Sequence, residues 1–295
     1  MHPSRRRFVF PLGGNDMINP SGESIRKAVR ERYARAAAPT EAAERAAEGS
    51  CCGPDCCASQ DAASGVDAES SAERRYAEQL GYSTAELEAV PEGAYTGLGC
   101  GNPIAHAEIT PGSVVVDLGS GAGVDCFLAA RRTGRTGRVI GVDMTPEMVE
   151  RARNSAAEGE WPNVEFRLGE IEALPVADGI ADLVVSNCVV NLSPAKETVF
   201  AEAFRVLRSG GVLVLTDILA SDELPETLHQ DLEAHAACLS GAVTAEATRA
   251  MLEGAGFTEL RVEPFEETRA PIEQWVDGAA GGRSVVSALV RARKP

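Results

Sequence analysis

From Thr110 onward the chain alternates short apolar runs with amphipathic ones, and that rhythm constrains the fold more than any other feature. Residues 113–118 form a continuous apolar run, as expected for a strand buried on both faces. A helix is expected over 125–132 and a second strand over 138–142. Thr145 then caps a helix, with Pro146 at its first position and Glu147 in its first turn. Residues 164–168, 181–186 and 211–217 read as further strands, and 196–208 as the helix before the last of them. Residues 258–266 and 284–292 read as a terminal antiparallel pair. Such alternation implies an α/β fold, with a mostly parallel sheet covered by helices on both faces.

The first 73 residues have a different character. Residues 21–38 read as a charged helix with Ile25, Val29 and Tyr33 on one face. Ala-, Glu- and Ser-rich sequence follows, surrounding Cys51, Cys52, Cys56 and Cys57. This composition implies a helical and disordered arm over 1–73 with little core of its own, ahead of a domain over 74–295. Residues 1–16 read as an extension before Met17. Deleting residues 1–70 is accordingly expected to leave a folded, cofactor-binding domain.

A formal net charge of -16 sets the chain apart from nucleic-acid binders, whose affinity comes from basic surfaces. No apolar run approaches the roughly 20 residues of a membrane span, and the apolar stretch after the N-terminal arginines is too short for a signal peptide. The chain is expected in the cytoplasm, with neither nucleic acid nor membrane as partner. Its eight cysteines are then not a disulfide framework. Buried, ligating or reactive roles remain.

The first strand runs into Asp117-Leu118-Gly119-Ser120-Gly121-Ala122-Gly123, glycines that allow a tight turn and close backbone approach to a ligand. A dinucleotide fingerprint needs glycine at 124, where Val124 stands. Asp143 ends the second strand and can accept both hydroxyls of a ribose. This spacing resembles the class I methyltransferases, whose cofactor, S-adenosylmethionine, has a ribose and adenine but no phosphate. The run from Phe204 to Gly210-Gly211 is similar to that class as well. The resemblance implies a Rossmann-like, mostly parallel seven-stranded sheet. It also implies a cofactor site drawn from Asp117, Gly119, Ser120, Gly121, Gly123, Asp143, Met144 and Asn187, with Glu170 and Ile171 near the adenine.

Cys188 follows the fourth strand in Ser186-Asn187-Cys188-Val189-Val190-Asn191-Leu192. Ligands of open α/β sheets lie outside the carboxyl ends of the strands, so this thiol belongs beside the reactive methyl group; a buried structural cysteine is the alternative. Cys100 lies in Gly97-Leu98-Gly99-Cys100-Gly101-Asn102-Pro103, before the first strand. Cys238 follows the fifth strand, in an insertion that commonly covers substrate in this fold. Three thiols from three segments can converge over one methyl group.

These segments resemble arsenite methyltransferases, the bacterial form in particular, and the likeness spans roughly residues 23–290. It implies that Cys100, Cys188 and Cys238 are the catalytic ligands of trivalent arsenic. The substrate is then arsenite or its thiol conjugate, the products are methylated arsenicals for detoxification, and a thiol reductant such as glutathione or thioredoxin is required. The chemistry agrees, because soft thiolates select soft centres. Trivalent arsenic on three thiolates keeps a lone pair that carries no proton, so no general base is needed. His106, His229 and His235 accordingly read as surface or packing residues, and Cys126, inside the first helix, as a packed apolar residue.

For Cys51, Cys52, Cys56 and Cys57 several roles stay open: a zinc site, which wants separated ligand pairs; a dithiol reductant; arsenic capture; or an arm without function. Two rival functions also stand. One is methylation of another small molecule, such as a quinone- or sterol-like ring. The other is non-catalytic, thiol-based metalloid binding.

Overall fold

A computed structural model describes residues 20–37, 74–159, 161–222, 224, 231–268 and 285–295. Its strands form one sheet: β1 (Val114–Leu118), β2 (Arg138–Asp143), β3 (Val164–Leu168), β4 (Ala181–Asn187), β5 (Leu207–Ala220), β6 (Val243–Thr244), β7 (Thr258–Pro264) and β8 (Val285–Arg293). The order is β3-β2-β1-β4-β5-β8-β7, with two-residue β6 added alongside β5. This is the expected seven-stranded path plus one short strand. β3 to β5 are joined in parallel, whereas β8 runs antiparallel to both β5 and β7. β5 is longer than its apolar run suggested because β8 pairs with it from Val212 through Ala220.

The helices are α1 (Gly22–Ala37), α2 (Thr84–Glu88), α3 (Pro103–His106), α4 (Val124–Thr133), α5 (Pro146–Glu158), α6 (Lys196–Val206), α7 (Leu232–Ala236) and α8 (Ala245–Gly254). Residues 74–79 are also helical. Val116, Leu118, Ile140, Val184, Leu213 and Leu215 fill the core on one face of the sheet, against Phe200 and Leu252. On the other face Val115, Val139, Val185 and Val214 meet Phe127 and Val149. Apolar residues thus alternate between two buried faces, as a sheet covered on both sides demands.

Two expectations change here. Thr145 does stand at the N-cap of α5, with Pro146 inside the first turn, but its side chain makes no capping bond. Its backbone N–H instead donates to Asp143 Oδ1 at 2.8 Å, which ties the end of β2 to the start of the helix. The second change concerns α1, which was expected in an arm with little core of its own. Ile25 and Val29 are buried in a cluster with Cys100, Cys188, Leu192 and Cys238. The Ile25/Val29/Tyr33 stripe is a face that a charged helix cannot leave in water, and α1 buries it over the carboxyl ends of the strands. Arg151 of α5 donates to Ala37 O at 3.3 Å, closing the far end of the helix. The cluster at Cys51, Cys52, Cys56 and Cys57 lies outside the described residues, as does His229.

Candidate active site

The end of β1 turns through Gly119, Gly121 and Gly123, all with positive φ. At Gly119 the turn also needs a close approach: a Cβ would stand 2.4 Å from Val189 Cγ1. The loop is pinned to β2 by Asp143, whose Oδ2 accepts from Gly121 N–H at 2.9 Å. Burial raises the Asp143 pKa, and the N–H groups of Thr145 and Gly121 oppose that rise. Its carboxylate therefore sits at the floor of a cleft, held in place by two backbone donors.

That cleft encloses about 490 Å3 and is lined by Gly119, Asp143, Met144, Thr145 and Ile171 on one side. Arg26, Val29 and Tyr33 of α1 close the other side. The size suits a nucleoside-bearing cofactor. Two buried polar atoms beside the glycine loop, Asp117 Oδ1 and Ser120 Oγ, have no protein partner. Buried polar groups are ordinarily paired, so these two mark where a cationic or hydrogen-bonding end of a ligand fits. Asp117 carries a raised pKa, from burial and then from nearby Asp125, against which the Cys126 thiol works. Cys126 is fully buried, as expected, but it also donates to Asp117 Oδ2 at 3.2 Å.

Two residues expected around the cofactor point elsewhere. Glu170 faces Arg26 and Arg30 of α1 at 3.5 and 3.7 Å, so Ile171 and Glu172, and not Glu170, line the cleft. Asn187 does not line it either and is spent on the Cys100 loop. Its Oδ1 accepts from Cys100 N–H at 3.0 Å, and its Nδ2 donates to Gly101 O at 2.8 Å and to Tyr82 Oη at 2.9 Å. Ser287 of β8 donates to Cys100 O, completing the clamp.

The three thiols that the sequence singled out converge. Cys100, Cys188 and Cys238 are 2%, 6% and 4% exposed. The sulfurs of Cys100 and Cys188 lie within 4.8 Å of each other and of an Asp217 carboxylate oxygen. The Cys238 thiol donates to Cys188 O at 3.0 Å, and the Cys188 thiol is hydrogen-bonded to both other thiols. Burial raises the Cys100 pKa; for Cys188 and Cys238 the largest cause of the rise is a thiol neighbour, Cys100 and Cys188 respectively, with burial adding to both. The cluster is therefore neutral at rest.

Two of these cysteines hold left-handed backbone, Cys188 at φ 58 and Cys238 at φ 65. For a residue with a Cβ that costs roughly 1–2 kcal/mol, and such strain gathers at functional sites. Asp217 and Asn191 brace the same turn: Asn191 Nδ2 donates to Asp217 Oδ1 at 2.9 Å, and Asn191 N–H to Oδ2 at 3.2 Å. Sequence reading missed Asp217 as a neighbour of the thiols, because an acid ending an apolar strand carries no signal of what lies across from it. His106 stacks on Phe265, and His235 Nε2 meets Leu192 O at 3.1 Å, so both serve packing.

A family model described as a methyltransferase domain matches residues 109–256. The arsenite methyltransferase of Halobacterium salinarum is 43% identical over 92% of this chain and 67% of its own length. The chain belongs to the arsenite methyltransferase family. The family's enzyme from Aquipseudomonas alcaligenes is 40% identical over 58% of this chain, which spans 51% of that relative. Among solved structures, CrArsM from Chlamydomonas reinhardtii, an arsenic (III) S-adenosylmethionine methyltransferase, is 33% identical. It superposes with a TM-score of 0.57, covering 76% of this chain and 73% of its own. Geranyl diphosphate methyltransferase, 21% identical with a TM-score of 0.55, shares the fold. Among the described residues no helix is long and apolar enough to cross a membrane.

Proposed function

We propose that this enzyme methylates trivalent arsenic held by Cys100, Cys188 and Cys238, with S-adenosylmethionine as methyl donor. The observation that carries this reading is the meeting of three buried thiols, two on strained backbone, beside a cleft built for a nucleoside. Neutral arsenous acid exchanges its three hydroxyls for three thiols and releases three waters, so no charge is buried. Asp143 would hold the ribose, the glycine loop the amino-acid portion, and Asp117 its cationic end. The co-substrate supplies an electrophilic methyl group, which the arsenic lone pair takes up as the carbon–sulfur bond breaks. The site needs no base because that lone pair bears no proton.

Giving up the lone pair raises the arsenic by two electrons of oxidation, and a dithiol that becomes a disulfide returns them. Cys51, Cys52, Cys56 and Cys57 could supply such a pair, with glutathione or thioredoxin restoring it. The decisive assay combines purified protein, arsenite, methyl-labelled S-adenosylmethionine and thiol. Label should appear in methylated arsenicals; arsenite that binds without consuming the donor would leave a metalloid-binding protein instead.

Two expected results follow from the geometry. Asp143→Ala should weaken S-adenosylmethionine binding by about 1.5–3 kcal/mol, the worth of a hydrogen bond to a charged group, measured by calorimetry; unchanged affinity would remove Asp143 from the ribose site. Arsenite affinity should vary by no more than about twofold between pH 6 and 8. The thiol pKa values are raised, so all three stay protonated across that range and exchange with neutral arsenous acid moves no net proton. Affinity that climbs tenfold per pH unit would show that thiolates must form first.

A further inference from the structure

The helix α1 brings one side chain to both halves of the active site. Tyr33 lines the cofactor cleft with Asp143 and Met144. It also packs against the cluster that contains Cys100, Cys188 and Cys238. Its hydroxyl is hydrogen-bonded to the Cys238 side chain. Burial, then Cys238 and Cys188, keep the phenol protonated, so the hydroxyl is the donor and the sulfur the acceptor.

We propose that Tyr33 is a positioning residue: its hydroxyl fixes the Cys238 sulfur while its ring walls the cofactor cleft, so that cofactor binding and arsenic binding reinforce each other. The inference rests on the reading of Cys238 as an arsenic ligand. At rest the Cys238 thiol donates to Cys188 O at 3.0 Å. When arsenic binds, that proton leaves as water, and the bond to Cys188 O leaves with it. The phenol donor remains to hold a sulfur whose backbone sits at φ 65. A cofactor seated against the Tyr33 ring restricts α1, and thereby the donor. Arsenic on Cys238 fixes the same ring from the other side. Coupling of this kind is reciprocal by thermodynamic necessity.

The test is arsenite titration of the full chain with and without saturating S-adenosylhomocysteine, which fills the cleft but has no methyl to give. In the parent, S-adenosylhomocysteine should tighten arsenite binding by about 5-fold or more, the lower end of ordinary coupling. In Tyr33→Phe that factor should fall to about one, while each ligand alone binds within about threefold of the parent, because the ring survives and only the donor is lost. Coupling that persists in Tyr33→Phe overturns the proposal, as does a parent that shows none. Collapse of cofactor binding in Tyr33→Phe overturns it too, since phenylalanine keeps the ring that lines the cleft. Cys238→Ser separates the two layers: arsenite bound as tightly by that variant as by the parent would overturn the ligand assignment itself, whatever Tyr33 does.

Discussion

Replacing Cys188 by serine is expected to reduce arsenite turnover to below about 1% of the parent rate, the scale on which losing alignment of reacting atoms costs an enzyme. Folding and S-adenosylmethionine binding should remain close to the parent. Serine is nearly isosteric and keeps a donor for the hydrogen bonds that link the three side chains, but its hydroxyl is a hard ligand that a soft centre does not choose. With one of three ligands gone, arsenic has no fixed pyramid and its lone pair no fixed direction. Cys100→Ser and Cys238→Ser should act alike on arsenite, although one of them can retain activity on a monomethylated arsenical that needs two thiolates. Cys126→Ser is the internal control, because serine can still donate to Asp117 from the buried position behind the glycine loop. The backbone adds a second readout. Cys188 and Cys238 are left-handed, so Cys188→Gly should be at least as stable as Cys188→Ala in thermal unfolding, by relief of about 1 kcal/mol of strain, and just as inactive. Near-parent turnover in Cys188→Ser would end the three-thiol mechanism.

The sheet was legible because its strands are apolar on both faces: Val115 and Val116 point to opposite cores, and only a doubly covered strand reads that way. The thiols were legible for a different reason. Cys188 ends β4 at the edge where parallel sheets bind ligands, and position alone singled it out. Asn187, one residue earlier, shows the limit of that argument. It stands at the same edge, yet its side chain is consumed by Cys100, Gly101 and Tyr82. An edge position says where a residue is, while its hydrogen-bond partners come from loops whose course the sequence does not print. Glu170 failed in the same way, through Arg26 and Arg30 of a helix placed elsewhere. The most consequential omission was α1. Its apolar stripe was visible, but the long Ala- and Glu-rich stretch after it suggested an arm. What the stripe packs against, the turn after β4 and the Cys238 loop, lies more than 150 residues away.

Removing residues 1–37 tests that placement with the largest structural change available. A truncation within the first 70 residues was expected to leave a folded domain with its cofactor site intact. The sheet should indeed survive, since α1 pairs with no strand. Stability should not. Ile25 and Val29 are 8% and 2% exposed, and burying two such side chains is worth roughly 3–6 kcal/mol. At about 2–4 °C per kcal/mol for a domain of this size, the melting temperature should fall by roughly 10 °C or more. Cofactor affinity should fall further than for any single variant, because Arg26, Val29 and Tyr33 form one entire side of the cleft. The thiols would also lose their cover, since Ile25 and Val29 share their cluster. Cys100, Cys188 and Cys238 should then alkylate in the truncated protein at a rate at which the full chain stays unmodified, which peptide mapping would locate residue by residue. A truncated chain that keeps parent cofactor affinity and parent thiol protection would return α1 to the role of a dispensable arm. Loss of both, with the sheet's circular-dichroism signature retained, would make the helix a wall of the active site.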